Sequence, residues 1–199
     1  MAPVLVLTMG TPSALAAQHD LVADLDLYEL PQTELKQARG LLVGPHVDQV
    51  FLSQYETKLD GFVHGGGRLV VCAQVALPFA TGLTRFIPLT YRSVCDLTVH
   101  RLAAHPVWRG VAPEDLTFRR GVAGFYGRGF YPDPPRCAQV VHGLGPRRLP
   151  LDLVYPLGDG EVLLHGGNDL WGYADDDTTA ARMTPQLLAW VLSEPPEKA

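Results

Sequence analysis

Apolar residues in the first third of the chain fall into short runs, each closed by glycine, proline or a polar turn. Residues 3–8, 40–44 and 68–73 are almost continuously apolar, the pattern of strands covered on both faces and hence of a parallel sheet. Residues 21–30 instead alternate apolar and acidic positions, as in Leu25-Asp26-Leu27-Tyr28, which suits a strand nearer an edge with one wetter face. A short helix over 31–38 is expected to follow. Asp48 then stands at a helix N-cap position, and Val50, Phe51, Tyr55, Leu59, Phe62 and Val63 recur at helical spacing until Gly65-Gly66-Gly67 ends them. Strands and helices alternate, and right-handed crossovers place helices on both faces of the sheet.

Beyond Leu77 the rhythm changes. Prolines at 78, 88, 106, 113, 132, 134 and 135 interrupt the chain, so only short strands are expected near 94–102 and 116–125. Strands return at 137–142, 149–156 and 161–165, and Gly158-Asp159-Gly160 predicts a tight turn joining the last two as a hairpin. A terminal helix over 184–192 is expected, capped by Thr184 with Pro185 at its first position and stopped by Pro195, leaving 195–199 as a disordered tail. The whole reads as one α/β domain over 1–199, a flavodoxin-like, doubly wound, mostly parallel sheet with an added antiparallel hairpin in its C-terminal part.

Composition narrows the function classes. With 199 residues, 47% of them hydrophobic, the chain can bury a core without a staple. No apolar run approaches the roughly 20 residues of a membrane helix, and the amino terminus lacks the basic region of a secretory signal. Three widely spaced cysteines, Cys72, Cys95 and Cys137, make neither a disulfide framework nor a CxxC metal site, which favours a reducing, cytoplasmic setting. The net charge of −5 carries no basic stripe, so nucleic acid is not an expected partner. His64, His100, His105 and His142 stand singly, without HxH or HxxxH spacing, and no metal is expected. The run Gly124-Phe125-Tyr126-Gly127-Arg128-Gly129 lacks phosphate-loop spacing, and no cofactor is expected.

Three stretches occur in a telling order: Asp48 through Phe62-Val63-His64-Gly65-Gly66-Gly67-Arg68-Leu69-Val70-Val71; His105-Pro106-Val107-Trp108-Arg109-Gly110-Val111; and a strand ending in His165-Gly166-Gly167-Asn168-Asp169 ahead of Trp171. Together they resemble the class I glutamine amidotransferase-like superfamily, especially its ThuA-like branch. The resemblance implies a nucleophile at Cys72, a histidine at His165 and an acid just beyond it, with a carbohydrate-related ligand. Two positions depart from the amidotransferase pattern. Ala73-Gln74-Val75 follows Cys72 without a glycine two residues on, and Gly167 stands where the acid belongs, leaving Asp169 to orient His165. The expectation is therefore a domain without glutaminase activity that acts as a small-molecule-binding or interaction module. The alternative is a Cys-dependent hydrolase with Cys72 as nucleophile, His165 as base and Asp169 as orienter.

Ligand-binding candidates cluster where strands end, the usual place in open α/β sheets: His46, Gln74, Asn168 and Trp171. Cys72 also fits a small buried hydrophobe, Gln74 a plain loop residue, and Asp48 simply a helix cap. The Arg-, Gly- and aromatic-rich segment 119–131 reads either as a contact surface or as a twisted hairpin packed on the sheet. Trp108, Phe125, Tyr126, Phe130 and Tyr131 would supply an apolar surface for a homodimer.

Overall fold

The structure, a computed structural model, describes residues 3–194. The tail expected over 195–199, and Pro195 as a helix stop, lie outside the described residues. The strands in chain order are β1 (Val4–Thr8), β2 (Val22–Asp26), β3 (Gly40–Val43), β4 (Arg68–Cys72), β5 (Ile87–Pro88), β6 (Val99–Arg101), β7 (Phe118–Arg119), β8 (Val122–Ala123), β9 (Gly129–Phe130), β10 (Gln139–Leu144), β11 (Leu149–Leu157) and β12 (Gly160–His165). The helices are α1 (Ala14–Gln18), α2 (Gln49–Ser53), α3 (Glu56–His64), α4 (Pro113–Thr117) and α5 (Met183–Leu192).

Eight strands form one sheet in the order β2-β1-β3-β4-β12-β11-β10-β6. The first five run parallel, with the 2-1-3-4-5 order of a flavodoxin-like sheet, and β11, β10 and β6 continue it antiparallel. β11 and β12 are the expected hairpin, with Gly158 at φ +64° in its turn. The small pairs β5–β9 and β7–β8 belong to the long excursion between β4 and β12.

Strand periodicity divides the core in two. Val4, Val6, Leu42, Val70, Cys72 and Leu163 face α1 and α5, whereas Leu5, Leu7, Leu41, Val43, Leu69, Val71, Val162 and Leu164 face α3 and the segments around it. Both faces of β1, β3 and β4 are therefore dry, as their unbroken apolar runs predict, whereas β2 at the sheet edge alternates and leaves Asp24 exposed. Arg68 fastens α5 to the sheet. Its guanidinium, buried at the start of β4, donates to the carbonyls of Trp190 and Ser193, pairs with Glu161 at 3.2 Å and stacks 4.8 Å over the Trp190 ring. It thus serves carbonyls that the helix end leaves without an intrahelical partner.

Several expectations are corrected. The helix after Asp48 is broken at Tyr55, whose ψ of 22° leaves the helical range, so α2 and α3 are separate; Leu52 is buried while Val50 is exposed. Asp48 does cap α2, accepting from the Phe51 N–H at 2.9 Å. In place of a helix over 31–38 the chain makes two 3-10 segments, Leu27–Gln32 and Leu35–Gln37, the first with Pro31 inside it. Thr184 is not the cap of α5: the helix begins at Met183, and the Thr184 hydroxyl instead donates to the Trp171 carbonyl. The apolar surface expected for a homodimer is not there as such. Trp108, Tyr126 and Tyr131 are fully buried, because the excursion folds back and inserts these rings against the sheet. No helix among the described residues is long and apolar enough to cross a membrane.

The tightest packing of the hairpin lies at Gly160, where a Cβ would overlap the backbone carbonyl oxygens of Gly67 and Val63. Gly160→Ala should cost about 1–3 kcal/mol. Gly61→Ala, inside α3 with nothing within 4 Å of the new methyl, should instead gain about 0.5–1 kcal/mol. Urea unfolding of the two variants checks the opposite signs.

Candidate functional site

Sheet register builds a polar row. Cys72 lies opposite His165, His165 opposite Asp152, Asp152 opposite His142 and His142 opposite Arg101, across the five neighbouring strands β4, β12, β11, β10 and β6. Residues directly opposite share a face, so these side chains line up under the helix α5 side of the sheet.

Asp152 is the hub. Its carboxylate is fully buried and receives three groups: His165 Nδ1 at 2.5 Å, His142 Nδ1 at 2.7 Å and the Tyr126 hydroxyl at 2.7 Å. Burial pushes the carboxyl upward, but the charge of His165 and the hydrogen bonds from both imidazoles outweigh it and hold Asp152 well below the usual carboxylate range. An ionised carboxylate only accepts, so both imidazoles carry their proton on Nδ1. Arg101 Nε donates to His142 Nε2 at 3.3 Å. His165 Nε2 is buried and has no hydrogen-bond partner among the described residues. It lies directly beneath Gly167, where any Cβ would press on it and on the Tyr126 carbonyl.

Cys72 therefore sits beside an imidazole aligned by a carboxylate, but the carboxylate is Asp152 and not Asp169. The thiol is fully buried. Burial pushes it well above its ordinary pKa, the charge of Asp169 adds to that, and the Leu170 backbone N–H acts in the other direction. That N–H belongs to a 3-10 turn, Leu170–Tyr173, which covers the sulfur. A thiol so placed is a poor nucleophile.

Above this layer, at the carboxyl ends of β3, β4 and β12, opens a crevice of about 380 Å³ lined by Pro45, His46, Gln74, Gly166, Gly167 and Asn168, and walled by Gly124, Phe125, Gly127 and Arg128. Three of the four ligand-binding candidates meet here. Gln49, at the start of α2, places Gln74: its amide nitrogen donates to the Gln74 carbonyl at 3.0 Å, and its oxygen accepts from Ala76 and Leu77. Asn168 donates to the Phe125 carbonyl at 2.9 Å, holding the wall to the end of β12 and leaving its own oxygen open. Trp171, the fourth candidate, does not join them. It lines a separate cavity of about 250 Å³ with Asp169, Ser13 and Gln18. Asp169 Oδ1 is buried without a hydrogen-bond partner among the described residues, and burial raises its carboxyl to about 6 against the pull of His165 and His46.

Asp152, His142 and Gln49 belong to no motif in the sequence, whereas Arg128 stands in the Arg-, Gly- and aromatic-rich segment 119–131. Asp152 did leave a signal: an acid inside the apolar run Leu151-Asp152-Leu153-Val154-Tyr155 must be paired if the strand is buried. His142, which stands singly in the sequence, is its partner. The described residues contain no group of three or more His, Cys, Asp or Glu placed to hold a metal ion.

No family model and no curated protein sequence matches the chain. Among solved structures it is similar to the cytoplasmic protein STM3548 from Salmonella typhimurium, at 11% identity and a TM-score of 0.59, covering 94% of this chain and 98% of that one. It is also similar to the exo-β-1,4-mannosidase Op5Man5 from Opitutaceae bacterium strain TAV5, at 14% identity and a TM-score of 0.51, covering 95% of this chain and 36% of the enzyme. The chain thus spans about a third of the mannosidase's length, and at these identities the likeness is one of fold.

Two carboxyl groups whose pKa values shift in opposite directions give opposite pH signatures. The pKa of Asp152 is depressed on folding, so its contribution is complete above the ordinary carboxylate value of about 4 and is lost as pH falls below it. Asp152→Asn should remove that acid-side loss and lower stability at pH 7 by about 3–5 kcal/mol, as when one member of a buried pair is removed. The pKa of Asp169 is raised, so the folded state holds its proton more tightly and stability declines as pH climbs toward about 6. Asp169→Asn should flatten that decline. Thermal unfolding of wild type and both variants between pH 3 and 8 reads both effects.

Proposed function

We propose that this chain is an amidotransferase-like domain of the ThuA-like branch that performs no glutaminase chemistry and binds a small, carbohydrate-related molecule in the crevice at the carboxyl ends of β3, β4 and β12. The observation that carries the reading is the convergence of His46, Gln74 and Asn168, from three different strand ends, on one cavity of about 380 Å³. That volume is in the range of small-ligand sites, and its contents suit a polyol: two amides and an imidazole for hydroxyl groups, with the exposed Phe125 ring at the rim. Gly166 and Gly167 make the floor, so a ligand meets backbone there. The carbohydrate class rests on the sequence resemblance.

The reading predicts saturable binding of monosaccharides in ligand-detected NMR. Gln74→Ala together with Asn168→Ala should weaken it about tenfold, the effect of losing two hydrogen bonds of roughly 0.7 kcal/mol each. A panel of mono- and disaccharides that shows no saturable binding at millimolar concentration would sink it.

The hydrolase alternative draws on the register that sets Cys72 opposite His165. Against it stand the burial of the sulfur, its raised pKa and the turn that covers it. Iodoacetamide at pH 8 should label the exposed Cys95 and Cys137 and leave Cys72 untouched in the folded protein, and glutamine should release no ammonia. Rapid labelling of Cys72 ahead of the other two would restore the hydrolase.

A further inference from the structure

The crevice has an electrostatic bias that a neutral polyol does not use. Among the described residues no aspartate or glutamate lines it, although the chain as a whole carries a net charge of −5. Its one permanently charged group is Arg128. The side chain is held in place: Nε donates to the Gly124 carbonyl at 3.0 Å, and the absence of a side chain at Gly124 lets the Arg128 stem lie against the loop. Gly124 itself is at φ +89°, where residues with a Cβ are strained. Arg128 lines the crevice, and with Nε spent on its own loop its two terminal guanidinium nitrogens make no hydrogen bond or ion pair among the described residues. A planar pair of donors, already oriented, is the geometry that receives two oxygens of a carboxylate or phosphate. Asp169, next to Asn168 in the chain, lines the other cavity.

We infer that the ligand of this crevice is an anionic small molecule, a polyol bearing a carboxylate or phosphate that pairs with the terminal nitrogens of Arg128 while its hydroxyl groups meet Gln74, Asn168 and His46. The inference rests on the crevice being the binding site. Pre-fixing the guanidinium removes much of the side-chain ordering cost that an exposed arginine carries on binding, so the anion contributes affinity as well as selectivity.

Three probes with one ring separate the possibilities: D-galactose, D-galacturonate and D-galactose 6-phosphate, each titrated into the full chain while the amide signals of residues 124–128 and 166–168 are followed by NMR. One or both anions should bind at least about tenfold tighter than galactose, and the tighter of the two identifies the carboxylate or the phosphate as the preferred group. Arg128→Gln should abolish the preference, so that in the variant the anions bind no tighter than galactose does. Equal binding of all three sugars by the wild type, or a preference that survives Arg128→Gln, overturns the inference but keeps the crevice as the site. Failure of every probe to shift these amides overturns both.

Discussion

A carboxylate buried in the middle of a sheet has to be surrounded by donors, and meeting that demand at Asp152 organises this end of the molecule. Isolated in a dry interior, an ionised carboxyl would cost many kcal/mol. Here it is matched by two imidazole N–H groups and a phenol, each from a different part of the chain: β10, β12 and the excursion between β4 and β12. The hydrogen bond from Tyr126 ties the excursion to the sheet. Once Tyr126 is anchored, Phe125 and Arg128 on either side of it stand at the rim as the wall of the crevice, and Asn168 closes the join through the Phe125 carbonyl. Arg119 braces the same excursion from behind, through its ion pair with Asp176 at 2.8 Å and its stacking over Tyr173.

The layer beneath the crevice and the crevice itself have different chemistry. Below, the Cys72–His165–Asp152 alignment has the ingredients of nucleophilic catalysis, yet the sulfur is covered and His165 Nε2 faces the underside of Gly167. Above, the accessible groups are amides, an imidazole and a guanidinium, all able to hydrogen-bond a ligand. The two glycines after β12 form the boundary. They let backbone from 126 approach the end of β12 closely, which both seals the imidazole below and gives the crevice a flat floor.

Much of this architecture follows from the order of residues. Unbroken apolar runs at β1, β3 and β4 specify strands covered on both faces, Gly158-Asp159-Gly160 specifies the hairpin, and Asp48 caps α2, because each depends on neighbours within a few positions. That His46, Gln74 and Asn168 line one crevice is legible for a related reason: each follows a recognisable strand, and in an open α/β sheet strand ends point to one edge. The break at Tyr55 and the 3-10 turns over 27–37 were not legible, since helical spacing alone does not say where packing forces the chain to turn.

Nothing local could pair Asp152 with His142 and His165. Their meeting depends on the register of β10, β11 and β12, and a shift of one residue would send each side chain to the other face. In the same way Trp108, Tyr126 and Tyr131 looked like surface aromatics in a loop-rich stretch, and only the folding of that stretch back onto the sheet buried them. The sequence by itself determined the sheet, the dry faces of its central strands and the strand ends that line the crevice, because hydrophobic periodicity and turn chemistry are local. The tertiary structure alone decided which acid holds His165, that Cys72 is sealed and that Arg128 faces the crevice, because each is a contact between segments far apart in the chain, set by strand register and by close approach at glycine.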